Sequence, residues 1–194
     1  MAHVGNTHSK LTNKLANTTE EQYDQVISQC KDIYLKKVKD YGTSWRMLRP
    51  RSLTDQILIK AKRVRNIEEM GTHKIEEGID DEFKGIINYC IIALIQIALH
   101  ADENTDLSYK QSKQLFEKQA EATKQLMLAK NHDYGEAWRD LRSTSFTDLI
   151  LMKLMRLKQI EDNDGQTIIS EGSDANYMDI INYAVFALIK MSEI

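Results

Sequence analysis

Three polar signatures in the 194-residue sequence each occur twice, and each contains side chains able to meet a charged ligand. The first is DYGTSWR at 40–46 and DYGEAWR at 133–139. Its glycine suits a helix C-terminus, where the left-handed conformation ends the helix while neighbouring rings pack on a core. Packing does not account for the charges of Asp40, Arg46, Asp133 and Arg139. These residues are candidates to face a ligand, with Tyr41, Trp45, Tyr134 and Trp138 as rings on which a base can stack.

The second signature is KxxR, at Lys60 and Arg63 and again at Lys153 and Arg156. On a helical wheel with Ile57 at zero, Lys60 falls at about 300°, between Ile67 at about 280° and Val64 at about 340°. Lys153 falls in the same way between Ile160 and Leu157. A lysine inside an apolar stripe either snorkels outward or meets a counter-charge, because burying an unpaired ammonium is costly. Two readings stay open and can coexist. One is an ion pair with Asp40 or Asp133; the other is a phosphate contact assisted by the arginine three residues on, which can bind bidentately.

The third signature lies on the most apolar segments, as Asn88 with Tyr89 and as Asp179 with Asn182 and Tyr183. Asp179 and Asn182, at i and i+3, share a helix face, and Glu171 and Asp174 precede them. Such oxygen donors are what magnesium uses when it bridges phosphates, so Asp179 and Glu171 are the candidate metal ligands. Asp179 aligns with Gly85, and the first copy therefore lacks this carboxylate. Either one site has decayed or Asp179 has no metal role. On the first alternative the second copy is the active one.

These signatures must be positioned by a duplicated module. The segment from Cys30 aligns without a gap at an offset of 93, and after one inserted residue the segment from Glu77 aligns at an offset of 94. Periodicity predicts three helices per copy, over 20–39, 53–70 and 81–100, then 108–130, 146–162 and 175–191. Thr18 with Glu21 suits a capping box and Ser52 a cap. The third helix is apolar nearly all round, which marks it as the most buried. Three such helices make a thin module. The expected fold is all-α, a compact bundle of two three-helix modules, 18–100 and 101–194, packed about a pseudo-twofold axis as one domain behind a flexible N-terminus at 1–17.

Charge and composition exclude several classes. A formal net charge of -3 argues against a general nucleic-acid binder. Within it, 36–65 holds ten basic and two acidic residues and 129–158 six and four, a local bias suited to an anion. Cys30 and Cys90 are not repeated in the second copy, as a zinc or disulfide framework would be, and read as buried thiols in a reducing compartment. The first ten residues lack the apolar stretch of a signal peptide, and the longest apolar run, 86–99, is too short to span a membrane. A cytoplasmic protein with no membrane contact is expected, a pseudo-dimer within one chain and open to further oligomerisation.

The order DYG and W, then KxxR, then INY with an apolar tail resembles the nucleotide-modification-associated domain family of bacteria and phages, over about 20–97 and 113–191. That resemblance implies a link to nucleotide or modified-base metabolism. More distantly, the helical plan is similar to the MazG-like all-α nucleoside triphosphate pyrophosphohydrolases, which bind magnesium through ExxE and ExxD pairs. Only the second pair has an echo here, in Asp179 and Asn182, and KxxR stands where ExxE is expected. The leading expectation is a nucleotide-handling protein that acts as a magnesium-dependent nucleoside triphosphate hydrolase or pyrophosphohydrolase. In it Lys60, Arg63, Lys153 and Arg156 hold phosphates, Asp133, Glu171 and Asp179 hold metal or orient water, and the tyrosines and tryptophans of the first signature flank the base. The alternative is a non-catalytic nucleotide-binding or partner module in which Asp40, Lys60 and Asn88 form a structural network.

Overall fold

The first helix of each copy is started by a short hydroxyl side chain that turns back onto the backbone. In the computed structural model, which describes residues 18–72, 74–100, 102, 104–167, 169 and 171–193, the Thr18 hydroxyl accepts from the Glu21 amide at 3.2 Å and the Glu21 carboxylate accepts from the Thr18 amide at 2.9 Å. This capping box opens α1 (Thr19–Tyr41), and Ser108 with Gln111 opens α4 (Tyr109–Tyr134) in the same way. Both helices stop at the glycine of DYG. Gly42 and Gly135 have φ of 66° and 61°, a region open to glycine and strained for other residues. A single 3₁₀ turn follows in each copy, Ser44–Met47 and Ala137–Asp140, and it seats Trp45 and Trp138 in the core.

The remaining helices are α2 (Pro50–Met70), α3 (Ile79–Ala98), α5 (Ser143–Asp162) and α6 (Ser173–Ser192). α2 begins earlier than the Ser52 cap implies because Pro50 occupies its first turn, where a missing N–H loses no hydrogen bond. All regular structure among the described residues is helical. α3 and α6 pack against each other at the centre, α2 lies on α3, α5 on α6, and α2 on α5. α1 and α4 pair with each other and cover the central helices. A single hydrophobic cluster draws on both copies, from Ile86, Ile87, Ile91 and Ile95 to Ile180, Ile181, Val185 and Phe186.

The α2 to α5 crossing is made twice over by the same four positions. Thr54 donates to Glu161 at 2.5 Å, and Thr147 donates to Glu68 at 2.8 Å. Lys158 pairs with Asp55 at 2.9 Å, and Arg65 pairs with Asp148. Each Thr-Asp dipeptide thus meets the base and the glutamate of the other copy. This is the reciprocal pairing that an isologous twofold interface requires, achieved within one chain. The flexible N-terminus expected over 1–17 lies outside the described residues. Among those described, no helix is long and apolar enough to cross a membrane.

Candidate functional site

The two lysines that fall inside apolar stripes both find carboxylates, on the neighbouring helix rather than at the DYG turn. Lys60 reaches Glu82 at 3.1 Å, and Arg63 takes the other Glu82 oxygen while also donating to the Glu77 carbonyl at 2.8 Å. Lys153 reaches Asp179 at 2.6 Å, and Lys130 takes its other oxygen at 2.5 Å. Asp40 and Asp133 are exposed, and the Asp133 contact is with His132 at 3.1 Å. The expected ion pairs with Asp40 and Asp133 are thus replaced, for a topological reason. α2 and α5 pack on α3 and α6, not on the ends of α1 and α4.

Aligned positions show that the counter-charge has moved by one helical turn. Glu82 and Gly85 in the first copy face Asn176 and Asp179 in the second. Glu82 and Asp179 are each only 4% exposed, so each carboxylate depends on its cations for solvation. Despite the burial that disfavours its charge, Lys130 is held above the usual lysine value by Asp179. Burial and the same carboxylate push Tyr183 upward.

A cleft of about 640 Å³ opens in the first copy between the end of α1, the 3₁₀ turn, and the N-terminal half of α3. Lys37, Lys60 and Lys84 bring ammonium groups to it, Glu77, Asp81 and Glu82 carboxylates, and Tyr41 and Tyr89 rings. Trp45 and Asn88 also line it. The Oδ1 of Asn88 is buried with no hydrogen-bond partner, although its twin on Asn182 accepts from the Tyr23 hydroxyl at 2.9 Å. The residue that corresponds to Tyr23 is Phe116, which has no hydroxyl to offer. An unmet buried acceptor costs about 1–3 kcal/mol.

At the corresponding positions of the second copy, larger groups stand. Asp179 replaces Gly85, and Phe186 replaces Ile92 and stacks on Trp138, with ring centroids 4.3 Å apart and planes at 4°. The cleft thus belongs to the first copy, and its counterpart in the second is filled by these larger groups.

Other sequence candidates have structural partners or stand apart. Arg139 donates to Thr19 at 2.7 Å, Gln22 at 2.8 Å and Glu193 at 2.8 Å, and lies over the Trp138 ring. Arg46 donates to the Asn104 carbonyl at 3.1 Å and to Gln96. Both arginines tie the 3₁₀ turn to other elements. Tyr134, Arg156 and Glu171 are exposed. The periodicity reading passed over Lys37, Glu82, Lys84 and Lys130. Glu82 was discoverable as the other half of the exchange at Gly85 and Asp179, and Lys37 with Lys130 as a further repeated base.

The candidate magnesium ligands do not fit the ion. Both oxygens of Asp179 are already bonded to ammonium groups, and the exposed Glu171 lies close enough to Lys130 to interact with its charge. A divalent cation would enter a place that the ammonium groups of Lys130 and Lys153 already balance. Among the described residues, no three His, Cys, Asp or Glu side chains are grouped to hold a metal.

Fold and site together define a duplicated all-α bundle with a cation- and tyrosine-lined cleft in one half. The chain belongs to the family described as Nucleotide modification associated domain 1, whose model matches it twice, at 37–97 and 130–191. Each match begins at or within a residue or so of the repeated lysine, Lys37 or Lys130, and runs through the central helix. No curated protein and no solved structure matches the chain.

Proposed function

We propose that the protein binds a nucleotide, or a closely related phosphate-bearing small molecule, in the first-copy cleft, and that it serves nucleotide or modified-base metabolism. The observation that carries this reading is the meeting in one cleft of ammonium groups, the exposed ring of Tyr41 and the amide of Asn88, whose oxygen has no partner. Phosphate is attracted by Lys37 and Lys60, a base stacks on Tyr41, and the Asn88 oxygen accepts from an N–H of the ligand. The family description agrees with that chemistry.

The test is calorimetric titration of the purified protein with ribo- and deoxyribonucleoside mono-, di- and triphosphates, with and without magnesium. Saturable binding by at least one member, weakened in Tyr41→Ala, is the expected result. Silence across the panel rejects it. Assaying the same samples for released phosphate or pyrophosphate decides whether binding leads on to hydrolysis of a triphosphate.

A second reading applies to the other copy. The closed Lys130, Asp179 and Lys153 cluster supports a structural role there, one that fixes α4 and α5 against α6. Its measure is a large loss of stability in Asp179→Asn with nucleotide binding retained.

A further inference from the structure

Both copies carry two lysines at corresponding positions beside the central helix, but only in the second does one carboxylate pair with both; in the first, Glu82 pairs with Lys60 alone of the two. Lys37 and Lys60 correspond to Lys130 and Lys153, and Gly85 corresponds to Asp179. In the second copy the Asp179 carboxylate gives one oxygen to each lysine, at 2.5 and 2.6 Å, and is almost wholly buried. In the first copy the helix carries no side chain at that point, and the end of the Lys60 side chain fills the space instead. A Cβ on Gly85 would lie 2.9 Å from Lys60 Cε and 3.1 Å from its Nζ, so the Lys60 ammonium already lies over the glycine.

We infer that a phosphate group of the ligand draws the flexible tip of Lys60 off Gly85 and sits between Lys37 and Lys60, in the place that the Asp179 carboxylate takes in the second copy. The inference rests on the cleft being the ligand site and specifies where the anion sits within it.

The charges around the cleft agree. Lys84 is engaged by Asp80 at 2.9 Å and by Asp81 at 3.8 Å. Lys60 and Arg63 share Glu82. Lys37 has no ion pair or hydrogen bond among the described residues, and it is exposed at the rim. The three lysines of the cleft are matched in number by Glu77, Asp81 and Glu82, so the unanswered charge is local to Lys37, which none of these carboxylates pairs, and an entering oxyanion answers it there. A phosphate offers an oxygen to each of two ammonium groups, as the Asp179 carboxylate does.

Gly85→Asp tests this directly, because it builds the second copy's anion into the first. Binding of inorganic pyrophosphate and of the nucleotide panel is measured by calorimetry on the parent protein, Gly85→Asp and Lys37→Gln, with melting temperature as the control for folding. Gly85→Asp is expected to fold with a modestly lowered melting temperature, since Lys60 must swing off the glycine and the new carboxylate joins Glu82 and Asp81, and to weaken both kinds of ligand by roughly tenfold or more. Lys37→Gln, an exposed change that leaves folding intact, is expected to weaken both as well. Nucleotide affinity unchanged in both variants overturns the inference and leaves the cleft reading standing. Pyrophosphate binding that is lost in both variants, without any nucleotide binding to the parent, overturns the nucleotide reading and keeps the anion site. Parent protein that binds neither overturns both.

Discussion

Asp179 and Asp133 are both repeat-module aspartates near a lysine in sequence space, yet their surroundings separate them. Asp179 is buried between Lys130 and Lys153, whereas Asp133 is exposed. Removing one member of a buried ion pair leaves an uncompensated charge, which costs about 3–5 kcal/mol. Asp179→Asn should approach that figure in urea unfolding, reduced to the extent that the part-exposed Lys130 swings into water. Asp133→Ala should stay within about 0.5 kcal/mol of the parent, as surface changes do. Tyr41 gives the functional counterpart. It is 57% exposed at the cleft, so Tyr41→Ala should leave melting unchanged and remove about 1–3 kcal/mol of base stacking, read as weaker nucleotide binding in calorimetry. At this scale the sequence revealed that Lys60 and Lys153 needed a counter-charge, because the helical wheel places them in apolar stripes. It did not reveal which carboxylate answers, because a wheel describes one helix and the answer lies on its neighbour. Trp45 and Trp138 show the opposite limit: a ring able to stack on a base is equally able to fill a core, and both are 7% exposed.

Helices α2 and α5 are joined by a polar seam whose glutamates are held against their ordinary chemistry. Burial is the largest influence on Glu68 and on Glu161, and it pushes both carboxyls upward, partly offset by the threonine hydroxyls that donate to them. The folded state therefore binds protons more tightly than the unfolded chain at these positions. It follows that stability falls as pH rises from the ordinary glutamate value, about 4.3, through the raised folded values. Glu68→Gln with Glu161→Gln keeps an amide oxygen to accept from Thr147 and Thr54 and removes the charge. The double variant should melt higher than the parent at pH 7, and the difference should vanish as pH drops below about 4. A thermal-denaturation series across that range checks the sign. The helices themselves were legible from periodicity and caps, since Thr18 with Glu21 and the glycines of DYG act locally. The seam was not, although Thr54 with Asp55 and Thr147 with Asp148 were visible repeats. Their role appears only when one copy is laid across the other.

A chain that carries its own twofold partner has an interior that belongs to neither half. α3 and α6 pack chiefly on α2, α5 and each other, and the buried faces of Ile86, Ile91 and Ile95 meet the other copy's helix system in one continuous cluster. A single copy would expose much of this surface, and exposed apolar patches of that kind drive association. The Thr-Asp seam adds direction, because each copy offers both the donor dipeptide and the acceptor pair of base and glutamate. Two fragments, 18–100 and 108–193, should therefore reassemble when produced together. We expect a stoichiometric complex of the two fragments by light scattering, with helicity close to that of the intact chain. The first fragment alone should aggregate or form a homodimer, since Thr54, Asp55, Arg65 and Glu68 are complementary to a second copy of themselves. A stable, fully helical monomer of either fragment would show that each copy closes its own core. The cleft sharpens the argument, because Phe116 of the second copy packs on Tyr34 of the first with centroids 5.0 Å apart. Tyr34 lines the cleft, so nucleotide binding should be absent from the isolated first fragment and return in the reassembled complex.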